Sequence, residues 1–167
     1  VLLVAVVVGK ETKFGDRRHV ALLEIEGFIL SNPNLEKAVY DLVANVDAVA
    51  LLVYINSPGG ETAASEAIYR ALREVQQKIP VVAVMGGVAA SGGYMAAIAA
   101  ERIFARESTI TGSIGVLLEA TNIVGLMDRM GVENETIRSG PLKSQPNPLE
   151  RLTPSARVVN QKLVDDV

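Results

Sequence analysis

The chain has 167 residues, enough for one domain with a sizeable core; 49% of them are hydrophobic and only 4% aromatic. A formal charge of −3 and the lack of any basic run exclude an electrostatic nucleic-acid platform, so no nucleic-acid partner is expected. With no cysteine and a single histidine, His19, the chain excludes disulfides, thiol catalysis, thiolate metal sites and multi-histidine metal sites; no cofactor is expected.

The run VLLVAVVVG (1–9) is continuously apolar but shorter than the ~20 residues that span a bilayer. It reads either as the trailing end of a membrane anchor, followed by the polar stretch KETKFGDRR, or as a buried strand. Residues 1–19 are taken as the end of an anchor and its juxtamembrane segment, and 20–167 as one catalytic domain that stops inside its last helix. From there, Val20–Gly27 reads as a strand and 32–47 as a helix with Leu35, Val39, Leu42, Val43 and Val46 on one face and Asn34 as its cap. Ala48–Ser57 is a continuous apolar run of the kind buried on both faces of a sheet. The stretch 61–78 is a helix whose apolar stripe is Ala64, Ile68, Ala71, Leu72 and Val75, and Val81–Met85 is a further strand. Short strands follow at 102–105 and 112–119, then a helix over 121–131 closed by Gly131, a strand over 132–140, a Pro-rich loop and a last helix from Pro154. Strands alternating with helices predict an α/β fold with a mostly parallel sheet and helices on both faces. Sites in such sheets form at the carboxyl ends of strands, where both INSPGG (55–60) and GGVAASGG (86–93) fall.

Those two segments carry the chemistry. INSPGG is either an ordinary strand-to-helix turn or a loop whose amides approach a ligand closely because Gly-Gly leaves no side chain in the way. In AASGGYMAA the hydroxyl of Ser91 stands where a helix begins, and Gly92 and Gly93 each cost a helix roughly 1 kcal/mol relative to alanine. Close helix packing is the plain reading, yet packing alone is better served by alanine. The Gly92 amide stands beside any tetrahedral centre formed on Ser91, where an oxyanion donor is needed. A serine nucleophile also needs a base. His19 falls at the opposite, amino-terminal edge of the sheet. Of the six lysines, Lys10, Lys13, Lys37, Lys78 and Lys162 stand in charged or solvent-facing surroundings. Lys143, in SGPLKSQPNP, has no charged neighbour from Ser139 to Leu149; it is either an exposed loop lysine or one desolvated enough to be neutral. In TGSIGV, Ser113 belongs to a Gly-rich turn, and its hydroxyl is available to a lysine amine.

Taken together, INSPGG, AASGGYMAA, TGSIGV and SGPLKS resemble, in order and spacing, the signal peptide peptidase A family, the bacterial protease IV group. The resemblance runs from about Val20 to the chain end. It implies a Clp-protease/crotonase-like fold built from repeated ββα-type units. It also implies a Ser/Lys-dyad serine endopeptidase of hydrophobic peptides, notably signal peptides left in the membrane after precursor cleavage. On this resemblance Ser91 is the nucleophile, Lys143 the general base, Ser113 the residue orienting the lysine, and Gly60 and Gly92 supply the oxyanion N–H groups. One departure is the leucine before Lys143, where the family often has an aromatic or basic residue. The resemblance further implies anchoring in the bacterial inner membrane with the catalytic domain on the extracytoplasmic side, and a homo-oligomeric ring, eight subunits being one candidate number. A crotonase-type acyl-CoA enzyme and an inactive membrane scaffold are the competing readings.

Overall fold

The structure, a computed structural model, describes residues 3–6 and 18–166. The elements run β1 (Leu3–Val6), β2 (His19–Ile29), α1 (Pro33–Ala44), β3 (Ala48–Gly60), α2 (Thr62–Gln76), β4 (Val81–Ala90), α3 (Gly92–Ala97), β5 (Arg102–Phe104), β6 (Ile110–Gly112), α4 (Val124–Met130) and α5 (Pro154–Asp165). They form two compact units, 1–115 and 116–167.

The first unit is the α/β sheet that alternating strands and helices predict. Its order is β1-β2-β3-β4-β5, with β6 also paired to β4; all pairs are parallel except β1 with β2. Of the two readings of the apolar N-terminal run, the described residues Leu3–Val6 form a strand against Val20–Leu23; residues 7–17, most of the polar segment among them, lie outside the described residues. Among those residues no helix is long and apolar enough to cross a membrane.

Leu23, Val53 and Ala83 are in register across three strands and fully buried, as are Ala21, Leu51 and Val81 one step earlier. Successive strand residues point to opposite faces, so this alternation puts the core on one face. Leu22, Leu52 and Val82, equally in register, are half-buried. Helices on both faces are therefore not what this unit has: α2 packs against both α1 and α3, and the buried side chains of all three join the core of the one sealed face. Continuous apolar runs hide that asymmetry, because both faces of β3 are apolar while only one is sealed. The predicted stripe of α2 is its buried face, with Ser65 added. Burying side chains such as Leu51, Ile55 and Leu72 stabilises the layer by roughly 1.5–3 kcal/mol each. Helix α1 is capped two residues before the expected position: the Asn32 side chain accepts from Leu35 N–H at 3.1 Å, and Pro33 takes the first turn, where its missing N–H costs nothing. Val46, expected on the apolar face, lies past the end of α1 and is exposed.

In the second unit, Gly131 ends α4 in the left-handed conformation (φ 67°). Thr153 caps α5 by accepting from Ala156 N–H at 3.1 Å. The strands expected over 112–119 and 132–140 are absent. Gly112 (φ 78°) and Ser113 (φ 50°) are successive left-handed residues and stop extended chain there. The stretch after Val132 is tied instead by polar side chains, including Asn134 to Thr136 and Arg138 to Glu150.

Candidate active site

Strands β2, β3 and β4 are parallel, so their carboxyl ends share one edge, and Ser91 stands there, directly after β4. It has φ 52° and ψ −120°. This is a left-handed position that a residue with a Cβ occupies at a cost of order 1–3 kcal/mol, and it makes a sharp strand-to-helix turn. Both ends of the turn are held. Ser91 N–H donates to Gly112 O at 2.8 Å, and Ser91 O accepts from Met95 N–H at 2.9 Å. The side chain makes no capping bond to α3 and is partly exposed, so the hydroxyl is presented outward from the turn. His19, at the start of β2, lies at the opposite edge.

Three glycines form the seat of this turn, each for want of space. A Cβ on Gly59 (φ 99°) would come within 2.8 Å of both Ser91 Cβ and Gly92 N. A Cβ on Gly92 would overlap the Ser65 hydroxyl, and one on Gly93 would stand 2.8 Å from Ser57 O. This reverses the sequence argument about the glycine pair. Alanine does not serve the packing better; it has no room, because α3 meets α2 and β3 backbone-close at this point. Gly59, Ser57 and Ser65 are not among the site residues expected from the sequence. The motif SPGG pointed to the loop, but only coordinates show which of its glycines touches Ser91.

Gly60 is paired with Ile29 and would drive a Cβ into the Ile29 backbone. Glu61 N–H donates to Ile29 O at 2.9 Å, and the Glu61 carboxylate accepts from Ser31 N–H at 3.0 Å, so the end of β2 is clamped to this loop.

Ser113 follows Gly112, whose carbonyl holds the Ser91 amide, so Ser91 and the Ser113 turn are joined through one backbone hydrogen bond. Strand β6 is fixed to β4 by Thr111 Oγ1 donating to Ala89 O at 2.9 Å, and Thr109 Oγ1 just before it donates to Gly86 O at 2.8 Å. Ser91 and Ser113 are the two non-glycine residues with positive φ among the described residues.

Lys143 belongs to the second unit. Its side chain is exposed, and its N–H donates to Gly140 O at 3.2 Å. The loop around it is organised by Glu150. Arg138 donates to Glu150 Oε2 at 2.7 Å and to Ser144 Oγ at 2.6 Å, and Gln145 donates to Glu150 Oε2 at 3.1 Å. A hydrogen bond from the Thr136 hydroxyl, and after it one from Arg138, hold the Glu150 carboxyl below its ordinary range. Among the described residues no group of acidic or histidine side chains is placed to hold a metal ion.

Comparison with known proteins fits this architecture. The model for peptidase family S49 matches residues 73–167, which include Ser91, Ser113 and Lys143. The chain belongs to peptidase family S49. It is 39% identical over 157 residues to a candidate protease of Synechocystis sp., covering 92% of this chain and 56% of that protein. It is 34% identical over 139 residues to the chloroplastic serine protease SPPA of Arabidopsis thaliana, covering 75% of this chain and 20% of that one. The chain thus spans between a fifth and just over half of these relatives. In fold it is similar to a mutant of the membrane-bound stomatin-specific protease 1510-N, with a TM-score of 0.54 at 23% identity, over 63% of this chain and 52% of that one. The family expected from the four motifs and the mostly parallel sheet with flanking helices are both shown.

Proposed function

We propose that this S49 chain is the catalytic part of a membrane-associated serine endopeptidase working through a Ser91/Lys143 dyad. The observation that carries the reading is the strained turn at Ser91. A serine held at φ 52° on a strand-to-helix turn, with glycine backbone packed against its Cβ, is a costly arrangement that space-filling does not require. In this reading Lys143, oriented by the Ser113 hydroxyl, takes the Ser91 proton. Ser91 Oγ attacks the scissile carbonyl, and the Gly60 and Gly92 N–H groups receive the oxyanion. Lys143 returns the proton to the leaving amine, and water releases the acyl group. Exposed Phe28 and Leu30 at the end of β2, beside Gly60, and Ile114 after Ser113 give this edge an apolar character suited to hydrophobic peptides.

The names of the relatives, which include a signal peptide peptidase from Enterococcus faecium, support cleaved signal peptides as the substrate class. A membrane anchor ahead of the domain, an extracytoplasmic site at the bacterial inner membrane and a homo-oligomeric ring complete the proposal. Membership of a peptidase family favours it over an acyl-CoA enzyme. Ser91→Ala and Lys143→Ala are each expected to abolish hydrolysis of an apolar peptide while leaving the thermal unfolding transition in place. Near-full activity of Lys143→Ala would remove the dyad. Cleavage of no apolar or unfolded peptide by the full-length protein would leave the inactive scaffold instead.

A further inference from the structure

Among the described residues, Ser57 and Ser65 are the two fully buried polar side chains, and both lie under the Ser91 turn. The mechanism above uses neither. We propose that Ser57 is a positioning residue that selects which amide of the 58–61 loop faces the nucleophile, an inference that rests on the serine peptidase reading.

The selection follows from the partners of four consecutive residues. Pro58 has no N–H. Gly59 N–H donates to the buried Ser57 Oγ at 3.1 Å, which draws it inward and away from the cleft. Glu61 N–H donates to Ile29 O at 2.9 Å, toward β2. Neither of these bonds uses Gly60 N–H, the amide that the proposed function gives to the oxyanion. The same Ser57 hydroxyl fixes the tight turn that brings Gly59 to φ 99°, with its Cα hydrogens against Ser91 Cβ and Gly92 N. Ser57 also backs the residue after the other donor, Gly92: its carbonyl and Cβ form the surface that Gly93 meets without room for a side chain. One buried residue thus holds both halves of the oxyanion site without touching substrate.

The test is Ser57→Ala, with Ser57→Cys as a variant that fills the same space but accepts hydrogen bonds weakly, both in the full-length protein. Three quantities are measured: kcat and KM on an apolar peptide; the inhibition constant of a peptide aldehyde; and hydrogen exchange at the Gly59 amide. In the aldehyde adduct a Ser91 Oγ–carbon bond forms, the serine proton leaves to the base, and the aldehyde oxygen becomes the oxyanion. For Ser57→Ala the expectation is a fall in kcat of ~10–100-fold, a KM unchanged, aldehyde affinity reduced in proportion to kcat/KM, and loss of protection at Gly59. Ser57→Cys is expected to retain the unfolding transition and fall between wild type and alanine. A purely structural role would lower the active fraction and leave the ratio of aldehyde affinity to KM unmoved; that result overturns the inference, as does wild-type kcat in either variant. The exchange arm separates the two levels. If Gly59 loses protection in Ser57→Ala but the aldehyde does not inhibit wild type, the serine peptidase reading fails and with it the catalytic role of Ser57, while the loop geometry stands. If Gly59 exchange is unchanged while the aldehyde inhibits wild type, only the role of Ser57 fails.

Discussion

The two units hold their candidate residues by different physics. Around Ser91 the constraints are steric: glycine backbone against glycine backbone, two buried serines and a core whose strand residues Leu51, Val53 and Ile55 are fully enclosed. Around Lys143 they are polar: one carboxylate, Glu150, gathers Arg138 and Gln145, and Arg138 in turn holds Ser144 beside the lysine. Of the second unit's helices, α4 has no buried residue and α5 only Ala156. Steric seats are insensitive to pH and intolerant of added atoms. Polar hubs tolerate added atoms and respond to protons. The Ser91 turn is therefore expected to be fragile toward methyl groups and the lysine loop fragile toward acid.

Gly59→Ala gives the largest effect expected after loss of the dyad. The new methyl meets backbone and Ser91 Cβ, which cannot rotate away, and the residue sits at φ 99°. Activity on an apolar peptide should vanish and stability fall by about 1–3 kcal/mol or more, read from the urea midpoint. Gly92→Ala should cost a similar amount, but here the obstacle is the Ser65 side chain, so Ser65→Gly combined with Gly92→Ala should recover much of the lost stability. A double mutant no more stable than Gly92→Ala alone would show that the seat is not steric.

Acid sharpens the contrast next. The Glu150 carboxyl is held below its ordinary value of 4.5 in the folded chain. Its contribution to stability is thus fully present above that value and is lost as pH falls through the lower, folded-state value. Wild type should lose stability as pH falls below 4.5, and Glu150→Gln should lose less on the same descent while starting lower at neutral pH. Parallel curves for the two proteins would remove Glu150 as the organiser of the loop. The smallest effect is expected on α5: Val159→Ser, at a position 51% exposed, should change the stability of the isolated chain by no more than about 0.5 kcal/mol. Loss of activity with stability retained would mark α5 as a surface that the working protein covers.

Much of the first unit was legible because periodicity reports burial. The α2 stripe, the strands and the two Gly-rich turns at strand ends all follow from where apolar and turn residues fall. The family was legible from four short motifs taken together. What the sequence hid was contact between distant glycines: nothing in SPGG says that Gly59 rather than Gly60 meets Ser91, because that depends on how β3 and β4 are paired. The absent strand over 132–140 was hidden for a related reason. Val132, Thr136 and Ile137 suit a strand, but Glu133, Asn134 and Glu135 sit between them, and a strand needs a neighbour as well as a propensity.

The hydrogen bond from Ser91 N–H to Gly112 O has a consequence during synthesis. Ser91 precedes its partner by twenty-one residues, so it leaves the ribosome before the strand that fixes its backbone. Until β6 docks on β4 the turn lacks one of its two ties, and a strained conformation without its ties relaxes. A growing chain ended before Gly112 carries the serine but not the geometry that arms it. The order of residues along the chain thus delays the Ser91 turn until the sheet beneath it has been built.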